Sequence, residues 1–155
     1  MKIIGIDPGY DRLGIAVVEK PEKGKEAVLF SECFSTSSEK PIYERLLAIG
    51  NEAAGILDKF KPNAVALETL FITKNQKTAM RVAEARGIII YEAVKRSVPL
   101  FEYSPMEIKM AVTGDGTSDK ARMIKMVHLL VPITKKKHDD EYDAIAVALT
   151  HAART

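Results

Sequence analysis

Tryptophan is absent from these 155 residues, cysteine occurs once, and no apolar run is long enough to cross a bilayer. With Cys33 alone no intramolecular disulfide can form, which fits a reducing compartment, and a cytoplasmic location is expected. No secretory h-region precedes the first strand, and no membrane association is expected. An excess of charge of one sign is also lacking. Lys and Arg number 23 against 21 Asp and Glu, a net charge of +2 that is too small to announce a nucleic-acid binder. The distribution of charge says more. Acids stand at the ends of predicted strands, whereas Lys135-Lys136-Lys137 and several isolated lysines fall in predicted loops. No internal repeat, low-complexity tract or linker divides the chain, so one domain over residues 1–155 is expected.

What is present is organised around Lys2-Ile3-Ile4-Gly5-Ile6-Asp7-Pro8-Gly9. Ile3, Ile4 and Ile6 are apolar on both faces, as in a strand buried on both sides of a sheet. Asp7 ends that run, and Pro8-Gly9 turns the chain. A second strand follows over Arg12 to Lys20 and a third over Ala27 to Thr36, which makes an antiparallel meander. Pro41 opens a helix to about Phe60, with Ile42, Leu46, Leu47, Ile49, Ala53, Ala54, Ile56, Leu57 and Phe60 along one stripe. Ala64 to Leu67 repeats the first pattern: a doubly apolar strand ending in a carboxylate, Glu68. The helical crossover allows this strand to lie parallel to the first, with Asp7 and Glu68 at one edge. Thr73 with Gln76 fits a capping box, starting a helix to about Arg96 in which Ala79, Ala83 and Gly87 form a small-residue seam. Whether that seam meets its own sheet or a second chain is open in the sequence. Pro99 to Tyr103 reads as the fifth strand. Ser104-Pro105-Met106-Glu107 then caps a helix carrying Lys109 and ending near Gly114.

The last helix completes the set of acids. From Tyr142 to Leu149 every residue except Asp143 is apolar or small, so the helix should be buried nearly all round. The helix dipole accounts for Asp139 and Glu141 in its first turn, but not for an acid among buried residues. Asp140 lies three residues before Asp143 on the same face, and two such carboxylates repel each other without a cation. His138 is assigned a surface role. Asp7, Glu68, Asp140 and Asp143 form an oxygen-only donor set that suits Mg²⁺, with Mn²⁺ as a substitute. Two such ions about 4 Å apart activate a water and stabilise the leaving oxygen of a phosphodiester. Lys109 and Lys120 follow the fifth strand with no evident acid partner, and a phosphate ligand would account for both. Phe71, flanked by Thr73, Lys74, Asn75 and Lys77, either folds onto the core or offers a stacking surface to an unpaired base.

IGIDPG at the start, LETLFITKN around Glu68, EARG from Glu84, the FEYSP strand end and DEYDAIAVALTHA together resemble the RuvC-type Holliday junction resolvases. The resemblance runs in order from residue 1 to about 153. It implies a ribonuclease H-like α/β fold, a five-stranded mixed sheet flanked by helices, in a homodimer that cuts four-way DNA junctions during recombination and repair. It places metal-binding acids on Asp7, Glu68, Asp140 and Asp143, a strand-separating aromatic on Phe71 and active-site lysines on Lys109 and Lys120, and it admits a branch-migration motor complex as a partner. Lys74 joins Phe71, Lys109 and Lys120 as an expected DNA contact. Some family members carry His at the position of Asp140, and the anchor Asp143-Ala144 sets the register, leaving Asp139 unassigned.

Three other readings are compatible with parts of the pattern. An actin-like or sugar-kinase ATPase also begins with a strand ending in Asp-x-Gly, but it needs a second lobe for which the chain is too short. A non-catalytic junction-binding module would keep Phe71 and the lysines without needing four acids. A pre-ribosomal RNA nuclease of the same fold would keep the acids.

Overall fold

The computed structural model describes residues 1–70 and 75–155. Strands β1 (Lys2–Asp7), β2 (Arg12–Glu19) and β3 (Ala27–Ser35) form the antiparallel meander. Helix α1 (Ile42–Phe60) crosses over to β4 (Ala64–Glu68), which lies parallel to β1. Helix α2 (Gln76–Lys95) leads to β5 (Leu100–Tyr103), parallel to β4. Helices α3 (Pro105–Thr113), α4 (Lys120–Leu130) and α5 (Asp139–Ala153) complete the chain. The sheet order is β3-β2-β1-β4-β5, so the two strands ending in acids are central neighbours. The expected mixed sheet is present, with β2, β3 and β5 each a residue shorter than the sequence pattern indicated.

Alternation along the strands feeds two cores. Ile3, Ala16, Val18 and Ala66 face α3, α4 and α5, whereas Ile4, Ile6, Ile15, Val17 and Val65 face α1 and α2. This explains the unbroken apolar runs: neither face of β1 or β4 meets water. Among the described residues no helix is long and apolar enough to cross a membrane.

Three expectations need correction. Leu47 does not belong to the buried stripe of α1; it is 64% exposed, and the neighbouring Arg45 is buried instead. Arg45 earns that position through partners, an ion pair with Asp11, a bond from Nε to Thr36 Oγ1 at 2.8 Å, and the Tyr10 ring. Helix α2 is capped not by Thr73 but by Asn75, whose side chain accepts from Thr78 N at 3.2 Å. Asn at that position reaches the third amide of the helix directly. Thr73 itself lies outside the described residues. The seam of α2 also divides: Ala79 is buried with Ala85, Ile89 and Ala93, while Ala83 and Gly87 face outward.

The capping box at Ser104 is present as expected. Its hydroxyl accepts from Glu107 N at 3.2 Å, and the Glu107 carboxylate accepts from Ser104 N at 2.8 Å. Gly114 closes α3 at φ 75°, a left-handed conformation that glycine takes without strain.

Candidate active site

Register brings the first two acids together. β1 and β4 pair in parallel with Ile6 opposite Leu67, so Asp7 and Glu68 leave the sheet at the same edge. The other two arrive on α5, and two glycines decide how closely that helix approaches. A Cβ on Gly5 would strike the Ala144 carbonyl oxygen and sit 2.7 Å from Ala148 N. On Gly14 it would overlap the Asp140 carbonyl oxygen, with Asp140 C at 2.8 Å and Asp7 Cβ at 3.1 Å. With no side chain at either position, α5 lies flush on β1 and β2, and its first two turns deliver Asp140 and Asp143 beside Asp7. Glycine inside a strand signals close approach of another backbone. That signal was present at Gly5 and Gly14 and carries the geometry of the site.

The acids perturb one another. Burial, then the charges of Asp143, Glu68 and Asp140, raise the pKa of Asp7 to about 7, and Lys120 only partly offsets them. Glu68 is raised by burial and by Asp143, against the lowering influence of Lys120 and Lys109. Asp143 is raised by burial, opposed by Lys120, and raised further by Asp140 and Asp139. Crowded carboxylates with raised pKa values at a cleft mark a functional site.

Both lysines belong to this cluster. Lys109 and Lys120 line a cleft of about 180 Å³ with Glu68, Asp143 and Met123. Lys120 does have an acid partner, contrary to the sequence reading: its Nζ pairs with Asp143 Oδ2. It occupies the first position of α4, where the dipole disfavours a cation, and the Asp143 charge offsets that cost. The α3–α4 connection is held in place by Thr113 Oγ1 to Ser118 Oγ at 2.6 Å and by Thr117 N donating to Asp115 Oδ1 at 2.9 Å. Lys109 pairs with no acid among the described residues.

Asp140 faces a different cleft, which it shares with Asp7, Pro8 and Arg12. Its Oδ2 lies 2.8 Å from His138 Nδ1, 3.5 Å from Arg12 Nε and 3.5 Å from Cys33 Sγ. His138 is therefore more than a surface residue, and Arg12 and Cys33 are neighbours of the site that no spacing in the sequence announced. Asp139 is exposed. Phe71 and Lys74 lie outside the described residues.

The donor chemistry fits a hard divalent cation. Asp7, Glu68, Asp140 and Asp143 offer only carboxylate oxygens, and burial together with neighbouring acids keeps Asp7, Glu68 and Asp143 raised despite Lys120. Glu68 and Asp143 line one cleft, Asp7 and Asp140 another, and Asp7 and Glu68 a third.

The family model of the crossover junction endodeoxyribonuclease RuvC matches residues 3–151. A crossover junction endodeoxyribonuclease RuvC of Thermosipho melanesiensis is 43% identical over 156 residues, covering 100% of this chain and 99% of that protein. Another of the same name, from Caldicellulosiruptor saccharolyticus, is 37% identical, covering 97% of this chain and 92% of the relative. Among solved structures, Thermus thermophilus RuvC in complex with a Holliday junction substrate superposes with a TM-score of 0.93 at 34% identity, covering 99% of this chain and 94% of that one.

Proposed function

This chain belongs to the crossover junction endodeoxyribonuclease RuvC family, and from that premise we propose that it resolves four-way DNA junctions by hydrolysing paired phosphodiester bonds, with Mg²⁺ held by Asp7, Glu68, Asp140 and Asp143. The observation that carries this reading is the arrival of four carboxylates, from β1, β4 and α5, at one sheet edge beside two lysines. Bound divalent cations supply a nucleophilic water and a counter-charge for the leaving oxygen. The remaining work falls to the chain. Asp7, flanked by the other acids and raised to a pKa of about 7, is the ligand whose ionisation gains most from a cation. Lys120, which pairs with Asp143, would be available to bind the scissile phosphate if that carboxylate held a cation. Lys109, which lines the same cleft, holds a flanking phosphate. Phe71 stacks on a base unpaired at the junction centre, and Lys74 contacts the backbone beside it.

A junction with two-fold symmetry needs two identical sites, and a C₂ homodimer supplies them. Helix α2 supports this assembly. Met80, Ala83, Gly87, Tyr91 and Val94 recur at spacings of three and four and share one outward face, on which Met80, Tyr91 and Val94 are 64%, 61% and 59% exposed. A Cβ on Gly87 would meet nothing within 4 Å, so a second helix has room to approach. Arg81 pairs with Glu84 of its own helix and Arg86 with Glu102 of β5, while Lys95 Nζ lies over the Tyr91 ring at 5.7 Å.

One gel tests the proposal. A synthetic four-way junction and a duplex of matching sequence are incubated with the protein, with and without Mg²⁺. Symmetric cuts in the junction alone, and only with the metal, are expected. Binding without cleavage in Mg²⁺ would reduce the protein to a junction-binding module.

A further inference from the structure

Asp140 stands between two chemistries. On one side are the oxygen donors of the cleft; on the other are a thiol and an imidazole. Cys33 Sγ, His138 Nδ1 and the Asp140 carboxylate oxygen all lie within 4.8 Å of one another. His138 Nδ1 is 2.8 Å from Asp140 Oδ2, and Cys33 Sγ is 3.5 Å from the same oxygen. The fold builds this juxtaposition. Cys33 on β3 pairs with Gly14 on β2, and the missing side chain at Gly14 lets the first turn of α5 pass over β2 and reach it. His138 is the residue just before α5, so its ring lies over the same spot. Cys33 is half-buried and His138 47% exposed, which leaves the group open to ions from solvent.

We propose that Cys33, His138 and Asp140 form a second cation site, selective for Zn²⁺, whose occupancy turns the nuclease off by drawing Asp140 away from the catalytic acids. The selectivity follows from the donors. Thiolate and imidazole suit Zn²⁺, whereas Mg²⁺ requires oxygen ligands and near-octahedral geometry. Tetrahedral Zn²⁺, with bonds of about 2.0–2.3 Å, holds its ligand atoms roughly 3.5 Å apart and leaves a fourth position for water. Asp140 Oδ2 already stands 3.5 Å from Cys33 Sγ, and rotation of the exposed His138 ring adjusts the placement of Nδ1. On binding, the Cys33 thiol releases its proton to solvent, the proton that His138 Nδ1 holds toward Asp140 leaves that nitrogen for solvent or Nε2, and sulfur and Nδ1 each donate an electron pair to the metal. Asp140 exchanges its contact with His138 for the cation, and Arg12, whose side chain is 58% exposed, swings into solvent. Inhibition rests on the reading of Asp140 as a catalytic metal ligand; the binding site does not.

Co²⁺ serves as a coloured probe for the site, and Zn²⁺ for its effect. Adding Co²⁺ to the whole protein should produce a sulfur-to-metal charge-transfer band in the near ultraviolet, absent in Cys33→Ser. In excess Mg²⁺, micromolar Zn²⁺ should stop junction cleavage by the parent. Cys33→Ser and His138→Asn, each measured against its own rate in Mg²⁺ alone, should need roughly tenfold more Zn²⁺ or greater for the same fractional inhibition, because losing a ligand costs at least as much as losing a group that orients one. Asn is a favoured N-cap residue, and the bond from the backbone N–H of residue 138 to Glu141 Oε2 does not depend on the side chain at 138. No thiolate band in the parent would overturn the site, whatever the nuclease does. A band with equal Zn²⁺ inhibition of parent and variants would overturn the link to Asp140. A parent that fails to cut in Mg²⁺ alone would instead sink the nuclease reading, with the Co²⁺ band still deciding the site.

Discussion

Replacing Asp7 with Asn should stabilise the metal-free protein while abolishing cleavage. The folded pKa of Asp7 is raised from 3.8 to about 7, by burial first and then by Asp143, Glu68 and Asp140. A carboxylate raised in this way binds its proton more tightly when folded. It costs nothing below pH 3.8, its cost grows as pH rises, and it levels off above about 7. At about 1.4 kcal/mol per pKa unit, the ceiling on that cost is on the order of 4 kcal/mol at pH 8 and less than about 2 kcal/mol at pH 5. Asn keeps the shape, carries no charge, and presents an amide that Glu68 and Asp143 can accept from. Part of the ceiling is lost to imperfect hydrogen bonds, so a gain on the order of 2 kcal/mol is expected at pH 8, equivalent to roughly 4–8 °C in Tm for a chain of this size. The assay is thermal denaturation of parent and variant at pH 5 and pH 8 in EDTA, then in Mg²⁺. The gap should be widest at pH 8 without metal, shrink at pH 5, and narrow in Mg²⁺, because the parent alone gains from binding the cation. Cleavage should fall by orders of magnitude while junction binding persists. A variant no more stable than the parent at pH 8 in EDTA, or a gap that ignores pH, would refute the account of the site as uncompensated charge.

Lys120→Ala removes the cation that lowers the pKa of Asp7, Glu68 and Asp143, so the acid limb of the cleavage rate against pH should move to higher pH. The rate should also fall more than junction affinity does; an unmoved limb and rate would return Lys120 to the solvent-facing surface. Gly14→Ala places a methyl against the Asp140 backbone and should cost about 1–3 kcal/mol while misplacing both α5 acids. Chemical denaturation and cleavage should fall together, and a fully active variant of parental stability would show that the close approach is dispensable. Tyr91→Glu on the outward face of α2 should dissociate the dimer, seen by sedimentation, and convert linear product from a cruciform plasmid into nicked circles; continued sedimentation at twice the monomer mass would move the interface elsewhere.

Much of this protein is legible from local pattern, because burial on two faces imposes composition directly. Ile3, Ile4 and Ile6, and then Ala64 to Leu67, read as central strands since both cores need apolar residues, and the acid that ends each run stands out against them. Ser104 and Gly114 announce the limits of α3 for an equally local reason, as caps satisfy amides and carbonyls only a few residues away. Asp143 was conspicuous because everything around it on α5 is buried. Partnerships across the chain were not legible. Lys120 meets Asp143, and Cys33 and Arg12 meet Asp140, because Gly5 and Gly14 let α5 settle on the sheet at one particular depth and register. Spacing along a sequence encodes which side of an element a residue occupies. The distance between two elements is set by the bulk of the side chains between them, and here the deciding side chains are two that do not exist. The same holds for α2, whose seam split between core and solvent once α1 had taken one face, as Ile88 now lies against Gly50. Pattern named the acids; packing chose their neighbours.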